Sequence, residues 1–567
     1  MKVGIDFGTS TSEIAICDSE GKVTVVPNHL GEIITPSVVH FDKSGKAVVG
    51  REALEMAILE PENTFLEVKR LFGQDVKLES HGRVYEPVEI AAQIISYLVR
   101  CAQEYTGEII NSAVVTVPAY FTDAQRKDVM AAGNMAGVEV SRIINEPTAA
   151  SLDYGIKHMR DCNYMLVYDL GGGTLDVTVL ELFEGVVDVK SSCGNNTLGG
   201  KDFDQAIIDY IVRGIKKQSN VDVTEDKRAM MRIKIAAEEC KIALSAQDAY
   251  EIELPFLFEG KNGEPGGFAE KITRNMFDGM IRDMIHSTKA QIDTALADAD
   301  LDANDIDLTL MVGGSTRIPL VKNFLEKQFG FTPAQATDPD LAVVAGAAIQ
   351  AAVLDGILGE NAVILTDICS YSLSTSALRY KEDCDCCREL YCDILIPRNS
   401  TLPASASSMY RTAYDDQHMV HITAYQGESE EPNENYLLNK FVLSGIPKGR
   451  AGTQKINIEF EYDLNGILVV NAQIVSTGKI VTATIDTAGL GKGLDLSAWK
   501  DHPKAKDYRR FINKADRLAK IHGEDAQDLT SAADELKKAL VLGWEDEVLR
   551  GLFRDLKNEI HVMEDVE

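Results

Sequence analysis

Hydrophobic positions along the first two-thirds of the chain fall into short unbroken runs, each followed by a stretch of helical period. Val114 to Val117 precedes Thr122 to Ala136, Tyr164 to Tyr168 precedes Asp202 to Ile215, and Leu308 to Val312 precedes Leu320 to Gln328. Such alternation predicts α/β layers. The nearly uncharged run Leu341 to Leu354 is too short to span a bilayer and predicts a buried helix. The pattern changes at a short apolar stretch, Val363-Ile364-Leu365, which marks a linker at 360–367. From about 368 to 486 the period is two: Val420, Ile422 and Ala424 share a face, and Ile456, Ile458, Phe460 and Tyr462 lead into Asp463-Leu464-Asn465-Gly466. The Asn-Gly pair predicts a hairpin turn and the region an all-β unit. After Gly493 the period is helical again, with Tyr508, Phe511, Ile512, Ala515, Leu518 and Ala519 on one face and Leu549, Leu552, Phe553, Leu556 and Ile560 on another. The division expected is 1–359, a linker at 360–367, a β unit at 368–495 and a helical tail at 496–567.

At 567 residues the chain is too long for one domain, and with 45% hydrophobic and 26% charged residues it can build real cores. Its 57 Lys and Arg against 88 Asp and Glu leave a net charge of −31. Such a surface is repelled by nucleic-acid phosphates and anionic lipid, so neither is an expected partner, and an anionic ligand must be held by a local arrangement. Met1-Lys2-Val3-Gly4-Ile5-Asp6 enters a strand pattern at once, without an apolar secretory core, and ten scattered cysteines suit reduced thiols in a cytoplasm. The histidines form no His-Glu-x-x-His, and no Gly-x-Ser-x-Gly elbow is present.

The most informative feature is a duplication. Ile5-Asp6-Phe7-Gly8-Thr9-Ser10-Thr11 is repeated as Tyr168-Asp169-Leu170-Gly171-Gly172-Gly173-Thr174, with Asp6 over Asp169, Gly8 over Gly171, Thr11 over Thr174 and Glu13 over Asp176. Each copy is a strand ending in Asp, a turn of small residues and a second strand. The turn lets backbone N–H groups and hydroxyls approach phosphate oxygens, while the Asp can hold the water shell of a divalent ion. Two related lobes whose hairpins face each other would clamp a triphosphate; a single copy would be an ordinary hairpin. P-loop and dinucleotide fingerprints are absent. A third turn, Met311-Val312-Gly313-Gly314-Ser315-Thr316-Arg317, lacks the Asp and suits a flat base or sugar with Arg317 stacked on it, or else a plain strand-to-helix turn.

Together these residues resemble the seventy-kilodalton heat-shock chaperones, the DnaK family, within the actin-like (ribonuclease H-like) ATPases. The resemblance runs through Lys69-Arg70-Leu71-Phe72-Gly73, Val117-Pro118-Ala119-Tyr120-Phe121, Asn145-Glu146-Pro147-Thr148-Ala149-Ala150, Leu198-Gly199-Gly200 and Gly313-Gly314-Ser315-Thr316-Arg317. The short tail and the linker are most similar to the HscC branch. The fold implied is a two-lobed α/β ATPase domain, a β-sandwich peptide-binding domain and a shortened helical lid. The function implied is an ATP-dependent chaperone that binds extended apolar segments of unfolded polypeptides and closes on them when ATP is hydrolysed to ADP.

Carried onto this chain, the resemblance assigns Asp6, Asp169 and Asp176 to Mg²⁺ and K⁺, and Gly8, Thr9, Ser10, Thr11, Gly171, Gly172, Gly173 and Thr174 to the phosphates. Lys69, Glu146 and Thr174 become the catalytic residues, with Lys69 polarising the attacking water. Gly199, Gly200, Glu238, Lys241, Ser245, Gly313, Gly314, Ser315, Arg317 and Asp340 would surround the base and ribose. Pro118, Arg126 and Asp367 would relay the nucleotide state, and Tyr410, Ala413, Val420 and Ile422 would line the peptide groove. A J-domain co-chaperone meeting Arg142 and Asp367, and an exchange factor, are the implied partners of a monomer.

Four departures from the family pattern stand out. Ile242 replaces an adenine-stacking arginine. Thr366 interrupts an aliphatic linker run, which implies less buried apolar area and weaker coupling. The lid is short, which implies partial closure. A lengthened loop carries Cys384, Cys386 and Cys387, with Cys392 beyond, a set that could take a soft metal, respond to oxidation or simply stay reduced. Three other readings remain in view: a small-molecule kinase, which would not need residues 368–567; a polymerising actin-like protein; and a regulator that holds one folded client.

Overall fold

The computed structural model describes residues 1–567 apart from 159–161, 184–185, 261–262, 331–332, 336–337, 359–363, 382–383, 465, 485–503, 523–526, 542–548, 555, 558–559 and 561–567. Residues 360–363 of the expected linker, Asn465 of the expected turn and the acidic C-terminal end lie outside the described residues. Contacts divide the chain into two compact units. The first comprises Met1–Leu373 with Ile394–Ser405 and Glu461–Leu468, and the second Ser374–Asp393, Ala406–Phe460 and Val469–Glu567.

The first unit is built on two related sheets. One runs Glu139–Asn145, Ser112–Val117, Lys2–Phe7, Thr11–Cys17, Val23–Val25 in spatial order, and the other Ala334–Gln335, Leu308–Val312, Tyr164–Leu170, Leu175–Phe183, Val186–Asn195, Ile364–Leu365. The pairing repeats the sequence duplication: Lys2–Phe7 is antiparallel to Thr11–Cys17 with Asp6 opposite Glu13, and Tyr164–Leu170 is antiparallel to Leu175–Phe183 with Asp169 opposite Asp176. Each first strand has a parallel neighbour on its other side. Because side chains alternate along a strand, both members of each opposed pair point to one face of their hairpin.

Helices form where the period predicts them. Asp123–Met135 starts from a Thr122 capping box, and Gly200–Ser219 and Pro319–Phe329 match the other two helical stretches. The apolar run is the helix Ala342–Leu354, buried along almost its whole length. It lies so close to its neighbours that a Cβ on Gly4 would sit 2.2 Å from the Ala348 nitrogen, and one on Gly346 would sit 1.7 Å from the Ala149 carbonyl oxygen. Glycine is required at both crossings because backbone occupies the space a side chain would need. One core serves both sheets here, with Val114 and Ile144 from one and Val167 and Leu310 from the other packed with Ala149, Ala347 and Ala351.

The β region forms two four-stranded sheets. One runs Cys384–Ile396, Leu373–Lys381, Met419–Gln426, Tyr436–Ser444, and the other Ala404–Arg411, Lys455–Tyr462, Leu468–Ile474, Ile480–Thr484. Ile422, Ala424, Ile456, Ile458, Phe460 and Tyr462 are all buried, as the period-two pattern requires. In the tail, Ala505–His522 and Gln527–Val541 join the helical segment from Leu549 in one core. Tyr508, Ile512 and Leu518 meet Leu549, Leu552 and Leu556 there, so the two faces read from the sequence are one interface. Among the described residues no helix is long and apolar enough to cross a membrane.

Candidate functional site

The two small-residue turns lie against each other. A Cβ on Gly172 would come within 2.4 Å of Ser10 Oγ, and one on Gly173 within 3.1 Å of Thr9 Oγ1. Gly8 is needed for the tightness of its own turn, since a Cβ there would meet the Thr11 carbonyl oxygen at 2.1 Å. The third turn closes the ring: a Cβ on Gly313, whose φ is +82°, would meet the Leu170 carbonyl oxygen at 2.5 Å. Ser315 Oγ donates to the Gly171 carbonyl at 2.9 Å, and Gly200 N donates to the same oxygen at 2.9 Å.

The cleft at this junction is lined by Asp6, Gly8, Thr9, Ser10, Thr11, Glu13, Lys69, Glu146, Asp169, Gly171, Gly172, Thr174, Gly313, Gly314 and Asp340, together with Pro339 and Val343. Most residues expected at the phosphates and the cation therefore meet at one place. Gly173, Asp176, Gly199, Gly200, Glu238, Lys241, Ser245, Ser315 and Arg317 do not line it. Several of these form an adjoining polar patch. Lys241 Nζ lies 2.9 Å from Asp204 and donates to the Gly200 carbonyl at 3.3 Å, Ser245 Oγ donates to the Lys241 carbonyl, and Glu238 pairs with Lys201 at 3.1 Å. Arg317 is held flat by Asp340 at 2.7 Å and Asp338 at 2.7 Å, which uses its edges and leaves its face open to stack. Ile242 is 62% exposed.

Electrostatically the cleft is a concentration of buried carboxylates around one ammonium. Burial, then the Glu146 charge, pushes Asp6 up to about 7 and Asp176 up to about 7. Asp169 stands well above the carboxylate range for the same two reasons, and Glu13 is raised by burial and then by Asp6 opposite it. Among the described residues, Glu13 Oε1 and Asp169 Oδ2 are buried without a hydrogen-bond partner. Lys69, 3% exposed, donates to Glu146 Oε1 at 2.6 Å and sits 5.8 Å and 5.4 Å from the rings of Phe7 and Phe121. A single lysine cannot neutralise five carboxylates, so the site is built to take up a further cation.

The donor set is hard oxygen, which suits Mg²⁺ and not a soft metal. Among the described residues no three such side chains converge closely enough to ligate an ion directly.

Two members of the site were not assigned a role from the sequence. Glu13 stands in the repeat where Asp176 stands, and that register was the signal. Arg70 donates to the Gly173 carbonyl at 3.2 Å and to Asp202 at 3.0 Å, and only its place beside Lys69 hinted at it.

Behind the cleft runs a buried polar chain. Asn145, adjacent to Glu146, donates through Nδ2 to Asp367 at 2.7 Å and accepts from Arg126 at 2.7 Å. Arg126 also donates to the carbonyls of Ala119 and Phe121, the first and third residues after the buried Pro118. The linker is docked as a strand: Ile364 and Leu365 pair in parallel with Val186 and Val187. Thr366 donates to Asp188 at 2.5 Å and accepts from Val189 N at 3.2 Å. The threonine thus replaces apolar burial with two hydrogen bonds, which removes the reason to expect looser docking from it.

In the second unit Tyr410, Ala413, Val420 and Ile422 line a single groove of about 750 Å³. Ile422 forms its buried floor at 1% exposure, and Tyr410 is fixed by a 2.7 Å hydrogen bond to Asp393. Cys392 is a buried free thiol that accepts from Asn435, while the side chains of Cys384, Cys386 and Cys387 lie outside the described residues.

The sequence model of the family described as Hsp70 protein matches residues 2–542. The chain is 42% identical over 479 residues to the chaperone protein DnaK of Thermotoga maritima, covering 84% of this chain and 79% of that one. It is 40% identical over 560 residues to the chaperone protein DnaK of Thermosipho melanesiensis, covering 95% and 92%. With a phosphate-type cleft between duplicated hairpins and a match along nearly its whole length, the chain belongs to the Hsp70 family and is an ATP-hydrolysing chaperone that binds unfolded polypeptides.

Proposed function

We propose that Lys69 and Glu146 are the catalytic pair and that the Asn145–Arg126–Asp367 chain reports their state to the linker. The observation that carries this is the 2.6 Å Lys69–Glu146 contact, buried at the meeting of the two turns, with Asn145 next in sequence bonded to Asp367. An ammonium has three donors; one is spent on Glu146, which leaves two for the attacking water and a γ-phosphate oxygen. Thr9, Ser10, Thr11, Gly172, Gly173 and Thr174 supply hydroxyls and backbone N–H groups to the phosphates. Asp6, Asp169 and Asp176, with Glu13, would hold Mg²⁺ and K⁺ beside them. Bound there, Mg²⁺ would neutralise phosphate charge as the γ-phosphoryl leaves.

On this reading the nucleotide unit is 1–359, the linker 360–367, the peptide-binding sandwich 368–495 and the lid 496–567. The base and ribose rest against Gly199, Gly200, Glu238, Lys241, Ser245, Gly314, Arg317 and Asp340. Tyr410, Ala413, Val420 and Ile422 hold an extended apolar segment, and each Leu-sized side chain buried there contributes about 1.5–3 kcal/mol. The linker Val363-Ile364-Leu365-Thr366-Asp367-Ile368-Cys369 supports a place near the HscC branch. A cytoplasmic monomer served by a J-domain protein at Arg142 and Asp367, and by an exchange factor, completes the proposal.

Steady-state ATP turnover with and without a short apolar peptide tests it. Slow hydrolysis that the peptide accelerates and Lys69→Ala abolishes is expected. Undiminished turnover in Lys69→Ala would remove Lys69 from the chemistry, and hydrolysis indifferent to peptide would break the link to Asp367.

A further inference from the structure

The groove of the second unit differs in charge from the rest of the molecule. In a chain of net charge −31, its described lining includes Arg379, Arg388, Arg411 and Lys440 and no aspartate or glutamate. Two of these cations are already compensated or engaged. Arg379 pairs with Glu389 at 2.8 Å and Glu430 at 2.7 Å, and Lys440 has a partner of its own. Among the described residues, the other two bond only to neutral acceptors. Arg411 donates to the Gly452 carbonyl at 3.0 Å. Arg388 donates to the Ala413 carbonyl at 2.7 Å and to Tyr380 Oη at 3.1 Å, with its guanidinium 5.1 Å and 5.9 Å from the rings of Tyr380 and Tyr414.

Arg388 therefore reaches from the strand Cys384–Ile396 to the segment carrying Ala413 and places a stacked guanidinium on the groove wall. Around it the lining is apolar and open: Tyr414 is 61% exposed, Tyr380 56%, Met409 51% and Leu390 49%. A neutral apolar ligand would satisfy this rim and floor but leave two guanidinium charges facing no carboxylate among the described residues.

We infer that the groove selects apolar segments that carry an aspartate or glutamate beside the apolar core, with Arg388 as the specificity-determining residue and Arg411 in support. The inference rests on the reading of this groove as the peptide site and names the class of peptide it takes. Side chains of an extended ligand alternate, so a residue next to the one filling the Val420 and Ile422 pocket points toward the rim. A carboxylate there gains a charge-assisted hydrogen bond from a guanidinium whose plane the two tyrosines already hold. The overall negative charge does not oppose this at contact range, because it is screened beyond about 8–10 Å at ordinary ionic strength.

The test is fluorescence anisotropy of the full chain with ADP, using three labelled peptides that share a leucine-rich core flanked by Glu, Gln or Lys. The Glu-flanked peptide is expected to bind about tenfold tighter than the Lys-flanked one at low salt, with the gap shrinking at high salt. Arg388→Gln should erase most of the preference while the Gln-flanked peptide still binds, Arg388→Lys should keep part of it, and Arg411→Gln should reduce it. Equal or tighter binding of the Lys-flanked peptide, or a preference that survives Arg388→Gln and Arg411→Gln together, would overturn the inference. Failure of all three peptides to bind would instead overturn the peptide-site reading, and this inference with it.

Discussion

Removing the Thr366 hydroxyl tests whether the linker is held by polar contacts or by apolar area. Thr366→Val keeps the shape and keeps the backbone bond from Thr366 N to the Val187 carbonyl at 3.1 Å. It deletes the 2.5 Å bond to Asp188 and the acceptor for Val189 N. Hydrogen bonds to charged groups contribute about 1.5–3 kcal/mol, but Asp188 is 23% exposed, so water replaces part of the loss and about 2 kcal/mol is a reasonable gross cost. The added methyl returns about 0.8 kcal/mol if it is buried. The net is about 1 kcal/mol against docking, a shift of about fivefold in the docked equilibrium. Amide hydrogen exchange across residues 364–368 with ATP bound reads this directly, and the docked amides should exchange about fivefold faster in the variant. Exchange that is unchanged or slower would refute the argument, because it would mean that apolar area governs docking. Asp188→Asn, which keeps an acceptor but loses the charge, should fall between.

Three further outcomes are expected. Glu13→Gln should weaken Mn²⁺ binding to the nucleotide complex by about tenfold in electron paramagnetic resonance titrations while the fold stays intact, and unchanged affinity would remove Glu13 from the cation site. Asp123, raised to about 6 chiefly by burial, binds its proton more tightly in the folded chain than in the unfolded one. Its contribution is therefore most favourable at low pH and is lost as pH rises from about 4 to about 6, by about 3 kcal/mol, so Asp123→Asn should flatten the pH dependence of thermal unfolding in that window. Gly346→Ala should cost about 3 kcal/mol or block folding, read as a lowered thermal midpoint, because its Cβ would lie 1.7 Å from a backbone oxygen.

Much of the site was legible in the sequence because its chemistry is local. An Asp at a strand end followed by a small-residue turn is a contiguous signal, and its duplication implied facing hairpins, which the Gly172–Ser10 and Gly173–Thr9 approaches realise. In the β unit, period two places Val420, Ile422 and Ala424 on one face, while it is the family resemblance that marks Tyr410, Ala413, Val420 and Ile422 as groove residues. What could not be read depends on pairs remote along the chain. Thr366 reads in sequence as a loss of apolar area, and its partner Asp188 lies far along the chain; Arg70 has no role assigned from the sequence, since Asp202 and the Gly173 carbonyl that receive it are equally remote. The helix Gln527–Val541 was not singled out, although Leu529, Ala533, Leu536 and Leu540 form its buried stripe. Arg388 had no signal at all, because its partners come from two separate places, Tyr380 near the end of the strand Leu373–Lys381 and Ala413-Tyr414 just after the strand Ala404–Arg411.

The central claim is that the nucleotide cleft and the peptide groove are coupled, and coupling in binding free energy is reciprocal. The most direct measurement is the dissociation rate of a labelled apolar peptide from the full chain with ATP and with ADP. Release at least tenfold faster with ATP, a difference of about 1.4 kcal/mol in the barrier and lost in Asp367→Ala, is the predicted result. Equal rates with the two nucleotides would contradict the account.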